Sequence, residues 1–393
     1  MNKNLKNVLL IFIVSFNLRL GISSVPPLIA AIKSTLQLTN FKVSLLTSVP
    51  VICMGLFAFF ISRFQRRFGR RVGILGLLML LGLATLSRIF VQSYLGLLSS
   101  ALLIGFSVAI TGPLLSGFIK EEFPNKSGLL IGIYSLGMGL GSVSASSMTS
   151  WLTSNFSDNY SVALGIWGVP ALLTAIIWFL YAPKEDNKGG NKENQQEPFP
   201  LKDSSVWKMI LFFGVQSGIF YGLITWITEF FRFKQISSAH SILLLTTFTS
   251  VQMLCSFLIP ALMDKYGKTS SWIMFCSLCT MLGSVLLIVF SIETMYAIGV
   301  ILLAIGTGGF FPIAMLFPIQ ATQTPDEASL WTGVTQSFGY IIGGLLPIFM
   351  GVIIDLTNNY NSLTYQIIIG SLLLALVGGN LAKKLELTTN DRH

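Results

Sequence analysis

Histidine is nearly missing from this chain: His240 and His393 are the only two in 393 residues, and only 10% of the residues are charged. Acid–base or nucleophilic catalysis needs such groups gathered at one depth, so their scarcity argues against an enzyme. Cysteine is as sparse. Cys53, Cys255, Cys276 and Cys279 all fall in apolar stretches, and the C-x-x-C spacing of the last two has no second pair and almost no histidine to complete a metal site. They read as packing residues, and no metal is expected. Gly137, Gly139 and Gly141 follow no strand and precede no lysine, so they are not a phosphate cradle and no nucleotide cofactor is expected. Long polar stretches are lacking too. The longest, KEDNKGGNKENQQEPFPLKDSS from Lys184 to Ser205, cannot bury enough apolar surface to fold by itself, which leaves no room for an attached signalling domain.

Apolar residues fill the remainder. They make up 53% of the chain and give it a mean hydropathy of +0.74, the composition of a polytopic membrane protein. Apolar segments run at about 7–32, 41–62, 72–91, 94–119, 127–150, 161–181, 207–231, 239–262, 271–290, 294–317, 329–353 and 363–381, each long enough to cross a hydrocarbon layer of about 30 Å as a helix. The first carries Arg19 and lacks a cleavage site, so it is expected to stay as a membrane helix. The fold class expected is therefore all-α, with twelve transmembrane helices.

The net charge of +9 is explained by topology rather than by nucleic acid. With the N-terminus inside, the inner loops and tails hold all of the 25 Lys and Arg except Lys33, Lys42, Arg88, Arg232, Lys234 and Arg19. Such a bias sets both termini in the cytoplasm and the chain in the cytoplasmic membrane. The polar stretch divides the helices six and six, giving an N-terminal half over 1–181, a cytoplasmic linker over 182–206 and a C-terminal half over 207–393. The halves look alike. The basic loop RFQRRFGRR, Arg63 to Arg71, matches MDKYGK, Met263 to Lys268, with Gly69 and Gly267 as turn glycines; Gly105, Pro124 and Gly132 match Gly306, Pro325 and Gly333 at one constant offset. A duplicated six-helix unit points to transporters whose halves rock about a midplane site.

Arg19 sits near the middle of the first apolar segment, where a charge costs about 2.5 kcal/mol or more unless it faces a partner, a cavity or a ligand. An arginine there suits a flat anion, because its fork of donors matches a carboxylate and its charge does not titrate away. The alternative is a bond to backbone carbonyls of a neighbouring helix. Asn17 is two positions away, roughly on the opposite side of the helix, so the two share a cavity only if the arginine bends round or the helix is distorted. Pro26 and Pro27 make distortion plausible. Gln216 lies at a similar depth in the seventh helix, with Phe220 one turn on and Ser217 and Tyr221 as a second i, i+4 pair. Gln336 and Tyr340 share a face of the eleventh helix with Gly343 and Gly344, either as ligand contacts or as an interface between halves. Ionisable groups that could serve coupling or gating are Glu229, Arg88, Asp355 and His240, all toward the outer ends of helices, where each reads first as a residue at the membrane interface.

Specific segments go further. FNLRLGISSVPPL (Phe16 to Leu28), LLTSVPVICMGL (Leu45 to Leu56), GPLLSGFIKEEFP (Gly112 to Pro124), FFGVQSGIFYGLITW (Phe212 to Trp226) and QSFGYIIGGLLP (Gln336 to Pro347), followed by Asp355, together resemble the cyanate/nitroimidazole transporter family of the major facilitator superfamily. The resemblance implies that the first, fourth, seventh and tenth helices line a cavity with Asn17, Arg19, Gln216, Phe220, Tyr221, Gln336 and Tyr340 as candidate contacts. It also implies a gating aspartate before each turn glycine. Asp264 fills that role in the second half, whereas the first half has Arg66. The expected function is secondary transport of a small polar or anionic organic solute by alternating access, in a lipid bilayer, as a monomer, without cofactors and with proton coupling open. Export of drugs or toxic compounds by the same fold, and a membrane sensor or enzyme, are the competing readings.

Overall fold

The computed structural model describes residues 3–123, 127–156, 159–183, 200–323 and 325–390. Each apolar segment becomes a helix or an interrupted helix. The first span is α1 (Lys3–Ser23), a 3₁₀ turn at Pro26–Leu28 and α2 (Ile29–Leu36); the second is α3 (Asn40–Leu56), a 3₁₀ turn and α4 (Ile61–Phe68). Next come α5 (Arg70–Leu86), α6 (Tyr94–Glu122) and α7 (Ser127–Asn155), then α8 (Tyr160–Gly165) and α9 (Gly168–Tyr181), which share the sixth span. The last six spans are α10 (Ser204–Phe233), α11 (Ser238–Tyr266), α12 (Thr269–Val289), α13 (Glu293–Ala321), α14 (Pro325–Thr357) and α15 (Asn361–Asn390). Most of the expected linker, and Pro124 of the repeat, lie outside the described residues. Ten of the spans are long and apolar enough to cross a bilayer on their own. The other two are α3 with its extension, and α7, which is 29 residues long but diluted by Gly and Ser.

Twelve crossings return the chain to the side it started from, so both termini share one end of the bundle and the opposite end is distal. Within the first six spans α1 packs on α7, α3 on α6, and α5 on α6 and α9; in the last six, α10 packs on α14, α11 on α13, and α12 on α13 and α15. Each contact in one half has its counterpart in the other, which is the architecture of two pseudo-symmetric six-helix halves. The turn glycines follow suit. Gly69 and Gly267 have φ of 68° and 63°, a region closed to most side chains, and each ends the second helix of its half. The repeat is one of fold rather than of contacts, however: Gly105 meets Pro50 of α3, whereas Gly306 meets Thr280 of α12 and it is Gly308 that faces α11.

Each half has its own apolar core. Ile74, Leu77, Ile104, Phe118 and Trp178 anchor the first; Phe212, Trp226, Phe248, Phe310 and Phe317 anchor the second. Large apolar side chains such as Leu83, Trp151, Phe179, Leu254 and Leu376 remain exposed on the outside of the helices, a surface made for lipid rather than water.

The halves meet along two seams, α3 against α14 and α7 against α11. On the first seam the backbones nearly touch: a Cβ at Gly344 would lie 3.1 Å from the Ser48 carbonyl, and one at Gly55 would run into the carbonyl of Ser337. Small residues in membrane helices permit this approach, where dispersion and weak polar contacts replace the hydrophobic effect.

Candidate functional site

Arg19 sits midway along the first span and remains half-buried. Its Nη1 donates to the Tyr221 hydroxyl at 2.7 Å, and the guanidinium carbon lies 5.5 Å from the centre of the same ring. Arg19 therefore reaches from the first half to α10 of the second. The phenols of Tyr340 of α14 and Tyr134 of α7 lie within electrostatic range of it. No described carboxylate ion-pairs with it. A guanidinium has five donors. Among the described residues only one hydrogen bond uses them, and none of its nitrogens is sealed off without a partner. The site is a positive charge at mid-bundle, held by one neutral phenol, bordered by two more, and open to an acceptor.

Tyr134 is not among the residues the sequence pointed to: unlike Tyr221 and Tyr340 it has no polar residue one turn away, and it stands in a Gly-rich stretch. That stretch is what admits it. Gly137 and Gly141 press the α7 backbone against Phe12, Ser15 and Phe16 of α1, and Tyr134 lies one turn before them. Phe220 edges onto Tyr221 at 5.2 Å and tilts against Phe248, while Tyr340 makes an edge contact with Phe213 at 5.0 Å. These rings brace the two phenols of the second half.

Other candidates lie apart from Arg19. Asn17 points the opposite way: its Nδ2 donates to the Ile13 carbonyl at 2.7 Å and to Thr174 Oγ1 of α9 at 2.8 Å. Residues two positions apart on a helix are separated by about 200°, and α1 is unbroken there, so the distortion that would have reunited them is absent from the position where it was needed. Gln216 is buried and donates to the neighbouring Ser217 Oγ at 2.8 Å. Gln336 is half-buried, with its Nε2 3.0 Å from Met315 Sδ of α13.

The charged candidates separate likewise. Glu229 lies 4.0 Å from Arg232 near the distal end and lines, with Lys33 and Gln37, a surface depression of about 470 Å³. Arg88 is not at an interface but buried, at 2% exposure, bonded to the Gly21 carbonyl and Ser100. Arg66 is exposed on α4, where the neighbouring Arg70 pairs with Glu121 and Arg71 donates to the Phe179 carbonyl at 2.9 Å. Asp264 lies on α11, but its side chain is outside the described residues.

The distal end carries a polar network between the halves. Asp355 of α14 accepts from the backbone amides of Asn40 and Phe41, at 3.0 and 2.8 Å, and from Asn40 Nδ2 at 2.8 Å. It thereby caps the N-terminus of α3 from the opposite half, where orphan amides and the helix macrodipole favour an anion. Lys33 donates to Asn40 Oδ1 at 2.6 Å and to Tyr360 at 3.3 Å, and the Tyr360 hydroxyl donates to the same Asn40 oxygen. Thr225 meets Thr47 at 2.9 Å, and Ser146 meets Thr249 at 3.4 Å on the second seam. Among the described residues, every hydrogen bond between halves lies at mid-bundle or distal to it.

The chain as a whole has counterparts among known proteins. A transporter of Bacillus subtilis (strain 168), YycB, is 28% identical over 89% of this chain and 87% of its own length. In Escherichia coli (strain K12) the cyanate transport protein CynX is 26% identical over 90% of this chain and 91% of its own, and the 2-nitroimidazole transporter is 26% identical over 94% and 93%. Among solved structures, a bacterial homologue of the human lysosomal transporter Spinster, inward-facing and unoccupied, superposes with a TM-score of 0.78 at 17% identity, covering 99% of this chain and 98% of that one. A D-xylose–proton symporter gives 0.75 at 11% identity, over 95% and 97%. With two pseudo-symmetric halves around a mid-bundle cation, and a Major Facilitator Superfamily profile that matches residues 11–347, the chain belongs to that superfamily and is a multi-pass transporter of small solutes.

Proposed function

We propose that the protein carries a small, flat, polar or anionic organic solute across the cytoplasmic membrane by alternating access, with Arg19 as the fixed positive anchor and Tyr134, Tyr221 and Tyr340 as the walls around it. The observation that carries this reading is the open valence of Arg19: a mid-bundle guanidinium with one phenol partner and, among the described residues, no carboxylate. An anion bound there adds a charge–charge attraction, and a geometry suited to two parallel bonds, that the neutral phenol it displaces lacks, and the flat faces of the phenols suit a planar body. The curated relatives named for cyanate and 2-nitroimidazole support the same class.

The distal network supports a state closed at that end and accessible from the end carrying the termini, which the distribution of basic residues assigns to the cytoplasm. The protein works as a monomer in this reading, since the two halves of one chain supply both sides of the site. Any proton coupling runs through Glu229 or through the charge of the solute, because no described carboxylate stands beside Arg19. A Glu229→Gln protein with an unchanged pH dependence of uptake would remove that residue from coupling.

The main test is a thermal-shift screen of purified parent and Arg19→Ala protein against planar anions including cyanate, neutral heterocycles including 2-nitroimidazole, and sugars. A ligand bound to the folded state raises the melting temperature by mass action. The expected outcome is a shift by a planar anion in the parent, with apparent affinity weakened about 30- to 150-fold in Arg19→Ala, the equivalent of 2–3 kcal/mol for charged hydrogen bonds. Stabilisation of both proteins alike, by neutral compounds alone, overturns the assignment.

A further inference from the structure

The first span is broken just beyond Arg19, and the break has a dedicated partner. Pro26 and Pro27 have no amide hydrogen, so the carbonyls of Ile22 and Ser23 lose the donors that a continuous α-helix would supply four residues on. The chain tightens in response: the Val25 amide turns to the Ile22 carbonyl at 3.3 Å, and the Leu28 amide to the Val25 carbonyl at 3.0 Å. This takes the Val25 amide away from the Gly21 carbonyl, its partner in an unbroken helix. Arg88 fills the gap. From the far end of the third span its Nη1 donates to the Gly21 carbonyl at 2.8 Å, while Nε donates to Ser100 Oγ of α6 at 2.9 Å. The Ser24 hydroxyl lies at 3.4 Å from the same carbonyl, a marginal second donor.

A buried guanidinium with no described carboxylate beside it is expensive in a membrane protein. Here the offset comes from the negative end of the α1 macrodipole together with one carbonyl and one hydroxyl. These partners fix where α1 ends. Without Arg88, the Val25 amide is free to return to Gly21, moving the break by one hydrogen bond. Gly21 is two residues from Arg19, within one turn, and the Arg88 bridge pins its carbonyl to α6, so releasing the bridge frees this end of α1 to shift and carries to the direction of the Arg19 side chain. We infer that Arg88 is a positioning residue, which selects the hydrogen-bond register of the broken first span and so aims Arg19 at the cavity. It makes no contact with solute. This inference rests on Arg19 being the anchor, and the two can fail separately.

The test places one thiol at the anchor position, with Arg19→Cys in a background where the four native cysteines are replaced, and follows its modification by an anionic methanethiosulfonate reagent in proteoliposomes. Access governs such a rate. Adding Arg88→Ala is expected to slow modification about tenfold or more, with millimolar guanidinium chloride restoring it to within about twofold, because the ion re-occupies the vacated space. A control thiol at the exposed Thr35 should keep its rate. Pro26→Ala, which returns an amide donor and leaves Arg88 intact, is expected to reproduce the slowing and covers the case in which Arg88→Ala does not fold. Rates within about twofold of the parent in folded Arg88→Ala, or in Pro26→Ala where Arg88→Ala does not fold, overturn the proposal. So does slowing in Arg88→Ala that guanidinium fails to reverse. If thiol reactivity responds as expected while Arg19→Ala leaves the affinity for cyanate and other planar anions unchanged, the positioning role stands and the anchor reading fails.

Discussion

Removing the charge of Asp355 should open the distal end. Its carboxylate takes two backbone amides from the first turn of α3 and the side-chain amide of Asn40, all across the boundary between halves. A hydrogen bond to a charged group contributes about 1.5–3 kcal/mol, and an anion at a helix N-terminus a further 0.3–1 kcal/mol or so. Asp355→Asn keeps one acceptor oxygen but turns a donor toward the remaining amide, so roughly one charge-assisted bond and the dipole term are lost. The residue is half-exposed, which places the loss at the lower end, about 2 kcal/mol after solvent screening. The whole of it falls on the distal-closed state, because in the opened state the carboxylate and the amides are each hydrated. The closed-to-open ratio should then drop about 30-fold.

Spin labels at Thr35 and Leu356, both exposed and on opposite halves at the distal end, read this ratio through their distance distribution in a cysteine-free background. The long-distance population should rise in Asp355→Asn at the expense of the short one. Unchanged distances in a folded, monodisperse Asp355→Asn protein would refute the reasoning and reduce the network to a surface contact.

Gly344→Leu attacks the same closure from the α3 seam. A Cβ there already meets Ile52 and the Ser48 carbonyl, and overpacking of this kind costs about 1–3 kcal/mol. The melting temperature should fall, and the distal label distances should lengthen; a variant as stable as the parent with unchanged distances would show that the backbones do not touch. Tyr360 gives a check by pH. Burial above all, and then the carboxylates of Glu229 and Asp355, push its phenol well above the ordinary value. A raised value means that its contribution to stability is intact below about pH 10, where a free tyrosine titrates, and fades as pH climbs from there toward the folded value. The tyrosinate absorbance of parent and Tyr360→Phe should therefore coincide through about pH 10 and separate only at higher pH.

Hydropathy and charge made the fold legible, because the twelve apolar runs follow from bilayer thickness and the one-sided distribution of Lys and Arg from the retention of positive charge on the inner side. The break in the first span was readable from Pro26 and Pro27, and the turn glycines Gly69 and Gly267 from the repeat. The site was readable only in part. Arg19 announced itself as a charge in an apolar run, and Tyr221 and Tyr340 through their i, i+4 pairing with Ser217 and Gln336, whereas Tyr134 has only Leu130, Ile131, Gly137 and Met138 at helical spacing and so carried no polar signal. Arg88 read as interfacial because it lies near the end of a span. Its partner is a backbone carbonyl released by two prolines some sixty residues earlier, and no pattern of side chains encodes that. Asn17 shows the opposite limit: helical geometry alone placed it across from Arg19, and the geometry held.

The choice of a phenol rather than a carboxylate beside Arg19 bears on how the cycle can turn. A buried carboxylate would hold the guanidinium in an ion pair whose rupture leaves an uncompensated charge, at about 3–5 kcal/mol, and a solute would have to meet that cost before gaining anything. Tyr221 supplies a neutral acceptor: the bond to it, about 1.5–3 kcal/mol with one charged partner, keeps the side chain in place and leaves no second buried charge behind when an anion displaces it. The same bond joins the halves, since Arg19 belongs to the first and Tyr221 to the second. A solute that takes the arginine and leans on Tyr221 and Tyr340 replaces a direct link between the halves with one through itself. Its affinity then depends on how the halves are disposed, which is the differential binding that a ligand needs in order to shift a conformational equilibrium.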